Sequence, residues 1–395
     1  MSKAPTASND PTATNDPITP NDPTATNDPK ATNDPNTPND PKAAKSLAPK
    51  TLEDLKSLLS ASSQPDLDSL FTAAYDLKVK LCGRKVVLRG IVEAGNRCAK
   101  DCLYCGIRRS NSSLERYTLA IDEIVRAAEF CKRENYASMV IQSGEIESEA
   151  HTRFIEEALR EIAPLNLGIT LSLGEQTQSV YHRWREAGAE RYLLRIETSN
   201  PQLYAQLHPE GHSWRRRVEC LTTLRRLGYQ TGTGVMCALP GQTLEDLARD
   251  IAFFAEIDAD MIGMGPYIPH PSTPLALDPR NDDFTRSQRL TLGLKMIAAT
   301  RLYLPTVNIA ASTALQTLAI DGRARGVLAG ANVIMPNVTE TRYRRGYQLY
   351  EGKPTLNENA ADARKALEAE LAAIGETIDY GHRGDSAHYH ARIKA

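Results

Sequence analysis

The sequence predicts an α/β protein folded as a parallel (β/α)8 barrel of the TIM type, and three observations carry that prediction. Eight apolar, β-rich runs recur, at 86–94 (VVLRGIVEA), 138–143 (SMVIQS), 168–173 (GITLSL), 191–197 (RYLLRIE), 231–238 (TGTGVMCA), 261–268 (MIGMGPYI), 307–312 (VNIAAS) and 332–336 (NVIMP). Segments with helical spacing, at 121–134, 151–162, 178–187, 213–227, 243–256 and 285–302, lie between them, which is the alternation of a parallel barrel. The runner-up, an open doubly wound sheet, would be favoured by a dinucleotide-binding glycine fingerprint, and no such run occurs.

The elements follow in order. Residues 1–48 form a tail whose first 42 residues repeat a six-residue unit, with Asn-Asp-Pro at 9–11, 15–17, 21–23, 27–29, 33–35 and 39–41. The unit has no apolar face to bury, so a disordered tail is expected. Residues 49–84 form a helical cap: TLEDLKSLLS and DLDSLFTAAYDLKVKL carry helical spacing, the second opened by an Asp66 N-cap. The barrel is expected over 85–350. Residues 351–395 then supply a helix at 358–374 and a polar tail with His382, His388 and His390.

Composition narrows the function. A formal net charge of -2, with 24% charged residues, offers no global attraction to nucleic acid or anionic lipid. Neither a basic-then-apolar leader nor a long charge-free apolar run is present, so no membrane partner and a cytoplasmic location are expected. Seven cysteines, three of them within eight positions, argue for a reducing compartment and metal ligation.

Those three are Cys98, Cys102 and Cys105, with the spacing C-x3-C-x2-C. A structural zinc site wants four protein ligands, and no second cysteine pair stands nearby. Three thiolates suit a [4Fe-4S] cluster, holding three irons and leaving the fourth open; a three-thiolate zinc site is the alternative. Barrel active sites form on the loops after the strands. The cysteine loop follows the first strand, and QSGE, SLGE and RIETSN end the second, third and fourth.

CAKDCLYC resembles the signature of the radical SAM enzymes, whose open iron binds the amino and carboxylate groups of S-adenosylmethionine. Reductive cleavage then yields methionine and a 5'-deoxyadenosyl radical. The resemblance implies that Ser143 and Glu145 meet the ammonium, Glu197 the ribose, Arg217 the carboxylate, and Tyr104 and Met236 the adenine. Longer runs, among them RYLLRIETSNP, MIGMGPYIPHPSTPL, GANVIMPN and YQLYEGKP, resemble the HydE family of FeFe-hydrogenase maturases over about residues 50 to 355.

The resemblance to that family implies a complete (β/α)8 barrel with a long internal cavity and one [4Fe-4S] cluster with S-adenosylmethionine at its top. It implies a role in assembling the dithiolate bridge of the hydrogenase cofactor, with a small iron complex carrying cysteine, carbon monoxide and cyanide as substrate. The partners implied are the radical SAM tyrosine lyase and GTPase scaffold maturases. Thr170, Ser172, Arg195, Glu197, Arg217, Met236 and Met261 are placed around S-adenosylmethionine or the cavity, with Arg195 grouped with the three cysteines as catalytic. Ser312, Thr313, Met335, Tyr347 and Tyr350 are placed deeper. Methylornithine-synthase-like or biotin-synthase-like chemistry on a small organic substrate is the alternative, and a non-catalytic iron-sulfur carrier a third.

The pattern departs from the family at Ile196, where a His is expected, and at Ser312-Thr313, which replaces a Thr-Thr pair. Residues 238–395 contain no cysteine, so a single cluster is expected. Cys82, Cys131 and Cys220 read as small buried hydrophobes, and so does Cys237, although its place beside Met236 leaves the cavity open to it. His270 sits on a Pro-rich turn, where it either faces the substrate or stabilises the turn, and His388 and His390 are expected to be solvated.

Overall fold

The computed structural model describes residues 48–354 and 356–394. The repeat tail, expected over 1–48, falls almost wholly outside the described residues. Two helices open the described chain, α1 (Leu52–Ser60) and α2 (Gln64–Cys82). Thr51 and Asp54 cap α1 reciprocally, each side chain accepting from the other's backbone N–H at 3.1 and 2.9 Å. The cap of α2 is Ser63 rather than the expected Asp66. Pro65 occupies the first turn, where its missing N–H costs nothing, and this starts the helix before Asp66.

After β1 (Lys85–Leu88) comes β2 (Gly90–Gly95), so Arg89 interrupts the first predicted run. The chain then alternates through α3 (Ile121–Arg133), β3 (Ser138–Ser143), α4 (Glu149–Ile162), β4 (Gly168–Ser172), α5 (Gln178–Glu186), β5 (Ala189–Leu193), α6 (Pro201–Leu207), α7 (Trp214–Arg226) and β6 (Gln230–Thr233). It continues with β7 (Met236–Cys237), α8 (Leu244–Glu256), β8 (Met261–Ile262), β9 (Gly265–Pro266), α9 (Arg286–Tyr303) and β10 (Asn308–Ile309). The last elements are α10 (Thr313–Leu318), α11 (Gly322–Leu328), β11 (Val333–Ile334), α12 (Thr341–Arg344), α13 (Ala360–Ala373), β12 (Thr377–Ile378) and α14 (Ala387–Arg392).

Seven strands form a curled parallel sheet in the order β10-β8-β6-β5-β4-β3-β2, and β1 pairs in parallel with β11 on one side and β12 on the other. Side chains alternate across the sheet. Met139, Ile141, Ile169, Leu171 and Tyr192 lie in the main apolar core with helix residues such as Ile155, Leu159 and Trp184. Glu93, Gln142, Thr170, Ser172 and Arg191 take the alternate positions and face the concave side. Cys131, Cys220 and Cys237 all lie in the main core, so Cys237 packs on the helix side of the sheet.

The expected polar tail makes specific contacts with the sheet, although His390 is exposed as expected. Gly384 O accepts from Arg89 Nη2 and Asn308 Nδ2, both at 2.8 Å, while Asp385 pairs with Arg191 and accepts from Gln230 Nε2 at 2.6 Å. His388, expected in solvent, meets Asp258 Oδ1 through Nε2 at 2.5 Å, and Arg392 meets Asp260 at 2.6 Å. The segment thus lies across the start of β6 and β10, held by charge rather than apolar surface.

Candidate active site

The cysteine loop leaves β2 and is pinned to three separate elements. Ala99 N donates to Glu145 O at 2.7 Å, Leu103 N to Leu207 O at 2.9 Å, and Gly106 N to Leu349 O at 3.0 Å. From within, Arg116 gathers the carbonyls of Asn96, Ile107 and Arg108 at 2.6, 2.8 and 2.5 Å. Asp101 clasps Arg108 bidentately at 2.8 Å, a geometry that orients as well as attracts. Gly144 makes the approach to β3 possible: a Cβ there would lie 2.2 Å from Arg97 O and 2.8 Å from Cys98 Cβ.

The three thiols are partly buried, and Glu145 N points at Cys98 Sγ at 3.4 Å. Burial pushes all three up from the ordinary thiol range, Cys102 to about 12, so without metal they carry protons that iron would displace. Among the described residues no three His, Cys, Asp or Glu side chains converge on a single ion. A cubane makes no such demand, since it spreads its thiolates over separate irons. Three thiols on a pinned loop, with one backbone N–H directed at a sulfur, fit such a cluster by their donor chemistry.

A charged chain runs from this loop across the strand ends. Lys100 Nζ lies 3.0 Å from Glu145 Oε1 and 3.3 Å from Glu175 Oε2. Arg217 Nε meets Glu175 Oε1 at 2.5 Å, and its Nη1 donates to Arg195 O at 2.8 Å. Arg195 in turn meets Glu197 Oε2 at 3.0 Å. Burial would raise Glu175, but Arg217 and Lys100 outweigh it and hold it below the ordinary range; burial dominates at Glu145, which is raised. Glu145 Oε1 has the Lys100 ion pair but makes no hydrogen bond of good geometry, so it retains capacity to accept from a second ammonium. Glu197 holds a left-handed backbone (φ 67°), fixed by Gly234 O and Met236 N at 3.0 Å each.

Beside the loop lies a small apolar cluster of Met236, Leu239, Tyr267 and Leu275, against which Tyr104 packs. Tyr104 OH lies 3.5 Å from Nε2 of His208, which burial keeps neutral by pushing it down to about 3. An apolar cluster beside acidic and guanidinium groups has the chemistry to meet an adenosyl sulfonium.

The structure therefore brings Cys98, Cys102, Tyr104, Cys105, Glu145, Glu197, Arg217 and Met236 to one end of the sheet, with Ser143 closing β3. Ser172 and Arg195 stand on the concave side below them. Thr170 and Met261 lie lower, sharing a pocket with Arg89 and Arg191. Thr313 Oγ1 meets Tyr350 OH at 2.7 Å beside Ser312, and Tyr347 OH accepts from Gln142 Nε2 at 3.1 Å. Met335 packs against Val87, Met261, Ala310 and Val333. His270 serves its turn, with Nδ1 accepting from Ser272 N at 3.1 Å. Sequence reasoning passed over Lys100, Glu175 and His208 as site residues; only Glu175 carried a signal, as the last residue of SLGE.

Residues 92–254 match the Radical SAM superfamily. The chain is 46% identical over 303 residues to the [FeFe] hydrogenase maturase subunit HydE of Thermotoga maritima, covering 77% of this chain and 84% of that one. It is 27% identical to the 3-methylornithine synthase of Methanosarcina acetivorans, over 71% and 78% of the two chains. Two solved structures share the fold. Methylornithine synthase gives a TM-score of 0.72 at 24% identity, over 86% of this chain and 98% of that one. The maturase HydG of Carboxydothermus hydrogenoformans gives 0.72 at 20%, over 86% and 78%.

The protein is thus a radical SAM enzyme, of the class that works with a [4Fe-4S] cluster and S-adenosylmethionine. Within that class the chain belongs to the HydE family.

Proposed function

We propose that the protein acts in the maturation of FeFe-hydrogenase, in assembling the dithiolate bridge of its cofactor from a small cysteine-bearing iron carbonyl and cyanide complex. The observation that supports the maturation role is the 46% identity to HydE of Thermotoga maritima, and the radical chemistry is supported by the meeting of the three-cysteine loop, the Glu145-Lys100-Glu175-Arg217 chain and the Tyr104-Met236 cluster at one end of the sheet. We infer further that the sheet and β1-β11 together make a complete (β/α)8 barrel. Parallel bridges between Ile91 and Asn337 and between Ala310 and Val333 support that closure.

In this reading Cys98, Cys102 and Cys105 hold the cluster. Glu145 accepts from the ammonium of S-adenosylmethionine, Arg217 meets its carboxylate and Glu197 its ribose, while Tyr104 and Met236 sandwich the adenine. When bound, the cluster and S-adenosylmethionine supply one-electron cleavage to methionine and a 5'-deoxyadenosyl radical. The chain's own part is to orient and to exclude water. Arg195, with Ser172, Ser312, Thr313, Met335, Tyr347 and Tyr350, surrounds the substrate, and Thr170 and Met261 bound the cavity beneath. The domain limits 49–84, 85–350 and 351–395, a cytoplasmic location, and partnership with the tyrosine lyase and GTPase scaffold maturases belong to the same proposal. No described helix is long and apolar enough to cross a membrane.

Two assays test the reading. The Cys98→Ser/Cys102→Ser/Cys105→Ser variant, with a chemical reductant, should form no 5'-deoxyadenosine; wild-type rates from it would refute the cluster. Apo-hydrogenase incubated with the two partner maturases should gain activity only when this protein is added. Equal activity without it would remove the maturation role.

A further inference from the structure

Glu93 stands apart from the residues used so far. It lies on β2 between Val92 and Ala94, both of which pack in the main core, so its side chain takes the opposite, concave face. It pairs in register with Gln142, and Gln142 with Ser172. The three make one inward row just below the cysteine loop. Gln142 and Ser172 are only half-buried although they sit inside the fold, so the row borders open space.

A charged residue here needs a reason. Glu93 is 3% exposed. Its Oε1 pairs with Lys353 Nζ, and that ammonium also donates to Tyr347 O at 2.8 Å and lies 5.1 Å from the Tyr347 ring. Its Oε2 is buried and has no hydrogen-bond partner among the described residues. Buried carboxylate oxygens are ordinarily satisfied, so an orphan one asks for a donor that arrives with a ligand. Arg195 provides the opposite sign: its side chain is 34% exposed, its Nε donates to Glu197 Oε2 at 3.1 Å, and its Nη2 makes no well-formed hydrogen bond and is left for a ligand. Arg195 follows β5, the strand beside β4, and because Leu194 and Ile196 pack in the main core its side chain takes the same concave face as Glu93, Gln142 and Ser172.

We propose that Glu93, held by Lys353, is a substrate-binding residue that takes the amine N–H donors of an amino-acid moiety whose carboxylate is met by Arg195. The proposal rests on the reading of this cavity as the substrate site. Lys353 neutralises the carboxylate in the empty cavity, and the amine satisfies the oxygen that Lys353 leaves free.

The test is calorimetric titration of the full-length, cluster-reconstituted protein with L-cysteine and with 3-mercaptopropionate, which lacks the amine, in the presence of S-adenosylmethionine. Wild type should prefer L-cysteine by about tenfold or more, a difference of about 1.4 kcal/mol. Glu93→Gln should cut that preference below about twofold while leaving 3-mercaptopropionate affinity unchanged, a pattern that a hydrogen-bonding role predicts and a structural one does not. Equal loss for both ligands, a preserved preference, or a wild type that binds neither or both alike would overturn the proposal. If circular dichroism shows Glu93→Gln unfolded, Glu93→Asp replaces it. That variant keeps the charge beside Lys353 but shortens its reach, and an undiminished preference in it overturns the proposal. Formation of 5'-deoxyadenosine by wild type is measured separately, so a failed radical SAM reading is told apart from a failed role for Glu93.

Discussion

Lys100 Nζ lies 3.0 Å from Glu145 Oε1, joining the cysteine loop to the segment that follows β3. The same ammonium reaches Glu175 at 3.3 Å, so one cation serves two largely buried carboxylates. Replacing it by Met leaves both Glu145 and Glu175 dependent on Arg217. Breaking a buried pair costs about 3–5 kcal/mol, but Lys100 is partly exposed and solvent screens part of that. Lys100→Met should therefore lower metal-free stability by about 1–3 kcal/mol, read from the urea midpoint. A midpoint equal to wild type would mean that the ammonium does not hold the loop.

Gly144 tests the loop from the other side. An added methyl meets Arg97 O at 2.2 Å, and a backbone carbonyl cannot step aside as a flexible side chain could. The Cys98 segment must move, which takes Glu145 N away from Cys98 Sγ. Gly144→Ala should fold, yet bind iron poorly and lose about tenfold or more in S-adenosylmethionine cleavage, since a displacement of about 1 Å near the chemistry costs up to 10²-fold. Normal iron content with normal cleavage would show that the loop tolerates the shift.

What could be read from sequence follows from how local each signal is. The three cysteines fall in eight positions, and the strand runs hold their pattern over five to nine residues, so both were visible without knowledge of the fold. Where Gly interrupts a run, as at 263, the predicted strand of 261–268 divided into β8 and β9, the second ending at Pro266. The C-terminal segment was misread because its anchors are remote: His388 meets Asp258 and Arg392 meets Asp260 across 130 and 132 residues. No apolar periodicity announces such contacts. Glu93 did leave a trace, a charge inside the apolar run VVLRGIVEA, but only the observed alternation shows which face it takes. Asp66 and Ser63 are both good caps, and the placement of Pro65 decides between them.

Asp250 gives the fold a pH dependence. Its carboxyl is buried on α8, accepts from Ser199 N at 2.5 Å just beyond Glu197, and leaves Oδ2 without a partner among the described residues. Burial pushes it up to about 7 from an ordinary 3.8. Between those values the folded chain keeps a proton that the unfolded chain has released. Stability therefore falls as pH rises through that window, by up to about 1.4 kcal/mol per unit, and levels off above it. Asp250→Asn cannot ionise and should lack this slope. Denaturation midpoints of both proteins from about pH 5 to pH 8 should converge or cross as pH rises; parallel curves would exclude Asp250 as the titrating group.

Arg191 depends on the C-terminal segment for its counter-charge. The guanidinium is 2% exposed, two of its nitrogens, Nε and Nη1, have no hydrogen-bond partner among the described residues, Glu190 stays 3.8 Å from Nη1, and Asp385 is the acid that meets Nη2. Asp385→Ala leaves only Arg383 O, at 3.2 Å, on that nitrogen, and also strips Gln230 Nε2 of its acceptor. An uncompensated buried charge of this kind costs about 3–5 kcal/mol. Replacing Arg191 by Met as well removes the stranded cation, so the double variant should recover much of the loss and the cycle should report strong coupling. Urea unfolding of the four proteins measures both quantities. Additive losses would mean that the segment is held by its other contacts, among them Gly384, His388 and Arg392, with Asp385 no more than a neighbour of Arg191.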